Sequence, residues 1–233
     1  ACYGENLEHY AEKHELKISD YYLSWGWKKS EKILPLGDFS SFKKENYRYK
    51  NNKKILIAGG SVDVFKYNNI IHNKNEVIQK QKEINEFLNN LDFKKINSLD
   101  FKEHPHDKRR EFSAFKLIKN NKIRLNTLTL GNNLENILDR YELVIYPYLF
   151  ATPFLKCLNL NKPSISLFDE NYLNENIKKD YEYLFDVKIL HKSFKEMAVF
   201  LNQNFDNMQS WWEDQKTQTA RINFCDKYVK KKY

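Results

Sequence analysis

Short apolar-rich runs recur along this chain, and the segments between them carry apolar residues at helical spacing. Lys54-Ile55-Leu56-Ile57-Ala58, Leu143-Val144-Ile145-Tyr146, Ser164-Ile165-Ser166-Leu167-Phe168 and Val187-Lys188-Ile189-Leu190 are four such runs. The first two, nearly all apolar, suit strands covered on both sides, and the other two read as further strands. Phe93 to Glu103 holds a further strand. Between them, Asn75 to Leu91 reads as an amphipathic helix, with Val77, Ile84, Leu88 and Leu91 on one stripe. Lys108 to Lys119 is a helix with Phe112, Phe115 and Ile118 inward, and Asn132 to Arg140 is a shorter one. The next begins near Thr152, with Pro153 at its first position and Phe154, Leu155 and Leu158 inward; Asn161-Lys162-Pro163 ends it. Asn174 to Leu184 is helical, and Ser193 with Glu196 forms a capping box that opens a helical remainder reaching about Tyr228. Upstream, Asn6 to Lys17 predicts a short helix and Tyr21-Tyr22-Leu23-Ser24-Trp25 a short strand.

Strands alternating with helices imply an α/β domain: a parallel sheet with helices on both faces, followed by a helical C-terminal tail. Pro35, Gly37 and the polar, basic stretch from Ser40 to Lys53 mark a boundary. Residues 1–50 and 51–233 are therefore expected to be separate units.

Composition adds mainly exclusions. No run of apolar residues is long enough to span a membrane, and no basic-then-apolar segment opens the chain as a secretory signal would. The first residues, Ala1-Cys2-Tyr3-Gly4, lack a Met, so a processed or partial chain is expected. The 3 Cys are widely separated and form no zinc template, which points to reduced thiols in the cytoplasm, with no metal and no cofactor. The net charge of +8 suits a polyanionic partner. Yet Lys alternates with Asn, Asp and Glu throughout, the dense patch being Lys230-Lys231-Lys232, and 27 Asn accompany the Lys excess. That pattern looks like compositional drift, and no nucleic-acid motif is present, so no nucleic-acid partner is expected.

Parallel sheets bind ligands at the carboxyl ends of their strands, which directs attention to the residues following each run. After the first come Gly59-Gly60-Ser61, either a tight turn or a place where backbone N–H groups face an anion. The second strand ends in Lys102-Glu103-His104-Pro105-His106-Asp107, followed by Arg109-Arg110. Imidazole donors beside cations suit phosphate oxygens; the alternative is a solvated polar turn. Metal binding is the poorer reading, because His104 and His106 need two more ligands. The third strand leads through Tyr146-Pro147-Tyr148 to Thr152, an N-cap whose hydroxyl and neighbouring N–H groups form an anion site or simply cap the helix. Trp25-Gly26-Trp27 frames a pocket or packs between units, and Trp211-Trp212 reads as a core or interface anchor. Asp20, Asp63 and Asp169 are lone carboxylates that form no general-base pair.

These residues together resemble a GT-B-type glycosyltransferase, in particular its nucleotide-sugar-binding C-terminal half. Lys102-x-His104-Pro105 is similar to the Lys-x-His-Pro motif of bacterial sialyltransferases, where His-Pro contacts the nucleotide and a later Ser/Thr at a helix start holds the phosphate. A closer likeness is to transferases encoded with bacterial surface-polysaccharide genes. It rests on Tyr3-Gly4, Glu15, Ser19-Asp20 and Trp25-Gly26-Trp27; on Tyr148, Thr152, Leu155, Asn161 and Pro163; and on Trp211-Trp212 with Gln218-x-Ala220-Arg221-x-x-Phe224. Two departures stand out. The usual hydroxyl pair is Ala151-Thr152 here, and the His-Gly-Gly element that precedes Tyr-Gly in the group is not in the sequence.

The resemblance implies a Rossmann-like donor-binding domain over 51–233, with 1–50 the remnant of, or linker from, an upstream acceptor domain. It implies sugar transfer from a nucleotide-activated donor, a CMP-linked acidic sugar among them, to a glycan or lipid-linked acceptor of the bacterial surface. The nucleotide-sugar is a substrate, so no cofactor is required. Lys102, His104, Pro105, His106, Arg110, Thr152, Gly59, Gly60 and Ser61 would bind the donor and its phosphate, and the general base would lie in the other domain. Basic residues and aromatics leave room for peripheral attachment to the inner membrane face. The rival expectations are a polyol-phosphate transferase of wall-polymer synthesis and a non-catalytic nucleotide-binding or scaffold domain.

Overall fold

The computed structural model describes residues 10–37, 49, 51–59, 74–96, 98–102, 126–127, 134–147, 152–168, 173 and 175–229. Within them the chain forms α1 (Tyr10–Ile18), β1 (Tyr22–Ser24), β2 (Ile33–Pro35), β3 (Lys54–Ala58), α2 (Lys74–Asn89), β4 (Ser98–Lys102), β5 (Asn126–Thr127), β6 (Leu143–Tyr146), α3 (Thr152–Asn159), β7 (Ser164–Leu167), α4 (Glu175–Asp186), β8 (Leu190–His191), α5 (Phe194–Asn204), α6 (Met208–Glu213) and α7 (Gln215–Tyr228).

β3 to β8 make one six-stranded sheet in the order β5-β4-β3-β6-β7-β8, parallel throughout. From β3 the chain builds outward through β4 to β5, then returns and builds the other way from β6 to β8. Counted from β3, this is the 3-2-1-4-5-6 order of doubly wound nucleotide-binding sheets. The apolar runs divide between the two faces as strand alternation requires. Ile55, Ile57, Leu143, Ile145 and Ile165 face a core built with Ile84, Phe87 and Leu88 of α2 and with Phe194, Met197 and Leu201 of α5. Leu56, Ala58, Val144 and Tyr146 face the other core, with α3, α4 and α7. Helices thus cover both faces.

α1, β1 and β2 form a small unit in which β1 and β2 pair in parallel, Leu23 opposite Leu34. Trp27 and Ile33 from this unit are buried in the same apolar cluster as α3, α4 and α7, and Tyr22 stacks on Trp27 at 5.6 Å. Of the two expectations for Trp25-Gly26-Trp27, packing is what Trp27 does.

Several local expectations need correction. The segment leading to β6 is not one helix but two 3-10 turns, Leu134–Asn136 and Leu138–Arg140, which still bury Ile137 and Leu138. Of the stretch Phe93 to Glu103, the strand occupies Ser98–Lys102. The last strand is Leu190–His191, and Val187-Lys188 is not part of it. Lys188 adopts φ 63, Lys188 N–H donates to Phe185 O (3.0 Å), and Ile189 N–H donates to Leu184 O (2.9 Å). This is a Schellman closure of α4, with Ile189 packed on Leu184. The apolar residues before β8 therefore serve to end a helix. β2 and β5 had no expectation in the sequence. The helix expected over Lys108–Lys119 lies outside the described residues.

The cap expected at Ser193 is present. Ser193 Oγ accepts from Glu196 N–H (3.1 Å), while the Glu196 carboxylate accepts from Lys192 N–H (3.0 Å), one residue earlier than a reciprocal capping box. Asp214 caps α7 by accepting from Lys216 N–H (2.9 Å).

Candidate functional site at the carboxyl edge of the sheet

In a parallel sheet every strand ends on the same edge. Register brings Ala58 opposite Lys102 and Ile57 opposite Ile145, so the ends of β4, β3 and β6 lie side by side. The reversal of strand order falls between β3 and β6. In doubly wound sheets the connections on either side of such a reversal diverge, and ligands bind in the crevice between them.

Three of the residues expected to bind the donor are described, and all three belong to this edge. Gly59 follows β3, Lys102 ends β4, and Thr152 opens α3, reached from the end of β6 by the segment beginning at Pro147. Gly60, Ser61, His104, Pro105, His106 and Arg110 lie outside the described residues. Thr152 is the first helical residue, not the residue before it, and Pro153 is the second. The half-buried Thr152 hydroxyl remains beside the helix N-terminus, where unpaired N–H groups and the helix dipole favour an anion.

Gly59 has a reason of its own for being glycine. Its N–H donates to Lys102 O (2.8 Å), and a Cβ there would stand 3.0 Å from that carbonyl oxygen and 3.0 Å from Phe101 Cζ. Close approach of β3 to the end of β4 therefore fixes the residue type, whatever ligand comes near.

α3 packs back over β6. Phe154 meets the Tyr146 ring edge-on at 5.6 Å, and Tyr146 Oη lies 3.2 Å from Cys157 Sγ. The far end of α3 closes in a second Schellman motif: Asn161 has φ 58, Asn161 N–H donates to Leu158 O (3.1 Å), and Lys162 N–H donates to Cys157 O (2.9 Å). Asn tolerates this left-handed position, and Pro163 stops the helix from continuing. Trp212, Gln218 and Arg221 of the C-terminal arm converge on this closure. Trp212 Nε1 donates to Asn161 O and Oδ1 (3.1 and 3.0 Å), and Arg221 Nη1 donates to Leu158 O (2.8 Å). Burial lowers the Arg221 pKa, against the pull of neighbouring Cys225. Trp212 is a core anchor, and Trp211 Nε1 donates to Val187 O (2.8 Å).

Two titratable clusters carried no sequence signal. Tyr141 Oη donates to Asp100 on β4 (2.6 Å); burial and this carboxylate push the phenol pKa up. His191, at the carboxyl end of β8, is 0% exposed, and among the described residues neither ring nitrogen has a hydrogen-bond partner. Glu196 lies 4.0 Å from Nδ1, too far for a hydrogen bond. Burial brings the imidazole pKa down to about 4 against the upward pull of Glu196, so the ring is neutral at neutral pH.

Among the described residues, no group of three or more His, Cys, Asp or Glu side chains could hold a metal ion, and no helix is long and apolar enough to cross a membrane. The described residues place a helix start, a threonine and a lysine at this edge.

Residues 1–232 match the model of the LIC12162 family transferases, and the chain belongs to that family. Comparison with curated proteins and with solved structures gives no match.

Proposed function

We propose that this transferase is a glycosyltransferase that moves a sugar from a nucleotide-activated donor to a bacterial surface glycan, with a CMP-linked acidic sugar the favoured donor class. The observation that carries the reading is the strand order, which sets the ends of β4, β3 and β6 together where the sheet reverses. Lys102, Gly59 and the start of α3 at Thr152 thereby share one edge, and His104 and Pro105 follow Lys102 closely in the sequence.

As the glycosidic bond breaks, its electron pair goes to the departing phosphate oxygen, and the acceptor hydroxyl forms the new bond and gives up its proton. Donors already aimed at the phosphate stabilise that growing charge without reorganising. In this reading Lys102, His104 and the N–H groups at Thr152 do so, with His106 and Arg110 in support, and Gly59-Gly60-Ser61 lines the crevice. The acceptor is carried on a lipid or a growing glycan at the inner membrane face. The outward face of the β1–β2 pair supports that placement: Tyr21, Leu23, Leu34 and Leu36 are all exposed there.

The test is release of free nucleotide from a panel of CMP- and CDP-activated donors, with calorimetry on His104→Ala and Lys102→Ala. CMP release from an acidic-sugar donor, with nucleotide affinity reduced at least tenfold in His104→Ala, supports the reading. Turnover of CDP-activated polyols would assign the chain to wall-polymer synthesis. Unchanged affinity in both variants removes the site.

A further inference from the structure

α3 is 8 residues long, too short to persist on its own in water, so its packing decides where its first turn points. Its first turn follows β6 at the edge where the strand order reverses, and its last turn is gripped by the C-terminal arm. Arg221 Nη1 takes the Leu158 carbonyl and Trp212 Nε1 takes Asn161. Gln218 ties the two together, donating to Trp212 O (2.6 Å) and accepting from Arg221 Nε (3.0 Å). Both residues are buried, Arg221 at 8% exposure and Trp212 at 2%. A cation at this end also complements the helix dipole.

We infer that Arg221 and Trp212 are positioning residues for the donor phosphate: by holding Leu158 and Asn161 they fix α3 along its axis and so place the N–H groups at Thr152. This rests on the donor reading above. Hydrogen bonds to phosphate operate within a few tenths of an ångström of their best length, so a helix free to slide would lose the anion while the sheet stays folded. The Trp-Trp and Gln-x-Ala-Arg residues, remote from the crevice in sequence, thereby belong to its machinery.

The experiment compares wild type with Arg221→Leu, Arg221→Lys and Trp212→Phe. It measures amide hydrogen exchange across 152–159, calorimetric titration with CMP, CDP, UDP and GDP, and thermal unfolding. Ser193→Ala, which removes a distant helix cap, serves as a control of reduced stability. Expected are amide exchange in α3 at least tenfold faster, and affinity for the bound nucleotide about 5- to 30-fold weaker, in Arg221→Leu. Arg221→Lys should recover part of both, because an ammonium can reach the Leu158 carbonyl, and Ser193→Ala should change neither. Unchanged α3 exchange overturns the inference, as does faster exchange with unaltered affinity or a Ser193→Ala variant that loses affinity equally. Should Arg221→Leu not fold, Trp212→Phe decides by the same criteria, since it deletes the Asn161 bonds and keeps an aromatic ring in the core. A wild type that binds none of the four nucleotides overturns the donor reading itself, and exchange alone then judges whether Arg221 and Trp212 hold α3.

Discussion

Adding one methyl group at the end of β3 tests both the packing and the site. In Gly59→Ala the new Cβ would lie 3.0 Å from Lys102 O and 3.0 and 3.2 Å from two ring carbons of Phe101, where ordinary contact begins near 3.4 Å. Something must move by about 0.4 Å, and neither neighbour yields easily. The carbonyl is backbone, and Phe101 is 1% exposed within the α2-side core. Overpacking of this kind costs about 1–3 kcal/mol. The bond from Gly59 N–H to Lys102 O would stretch, losing part of a contribution of about 1 kcal/mol. Against this, alanine narrows the unfolded ensemble and returns about 0.4–1 kcal/mol. The net expectation is destabilisation of about 1–3 kcal/mol, seen in urea unfolding as a lower midpoint with unchanged slope. Combining Gly59→Ala with Phe101→Leu should cost less than the sum of the two, because the shorter side chain vacates the space the methyl group needs. Because the strain falls on Lys102, nucleotide affinity should drop several-fold in the single variant. A Gly59→Ala protein as stable as the parent, with additive behaviour in the pair, would refute the close approach of β3 and β4.

Other substitutions probe separate features. His191 has its folded pKa depressed to about 4, so the unfolded chain takes up the proton first as pH falls below about 6.5. Its contribution is intact above that pH and is lost on acidification towards 4, about 2 kcal/mol by pH 5; His191→Leu should flatten stability over this window in denaturant titrations, and an unchanged slope would contradict the buried neutral ring. The same variant should gain about 1–2 kcal/mol at pH 7, because it removes two buried ring nitrogens that have no partner among the described residues. Ser193→Ala deletes the cap bond to Glu196 N–H and should lower stability by about 1 kcal/mol in urea unfolding, leaving nucleotide binding alone. Thr152→Ala should weaken nucleotide affinity a few-fold by calorimetry with thermal unfolding little changed, since its hydroxyl is half-buried at the helix start.

The sequence by itself determined the strands that are apolar on both faces. β3 and β6 lie where their runs lie, because a strand between two helix layers needs no partner's identity to declare itself. It also determined the helix stripes of α2 and α3 and the cap at Ser193, all local signals. Only the tertiary structure decided the rest. β5 is two polar residues, Asn126 and Thr127, whose strand character comes from pairing with Asp100 and Phe101. β8 yielded its apolar lead-in to the closure of α4, since the left-handed turn at Lys188 is settled by what Ile189 can pack against. The meeting of Gly59 with Lys102, and of Trp212 and Arg221 with the end of α3, joins residues dozens of positions apart. Periodicity reports which face of an element is buried; which other element buries it follows only when the whole chain has closed.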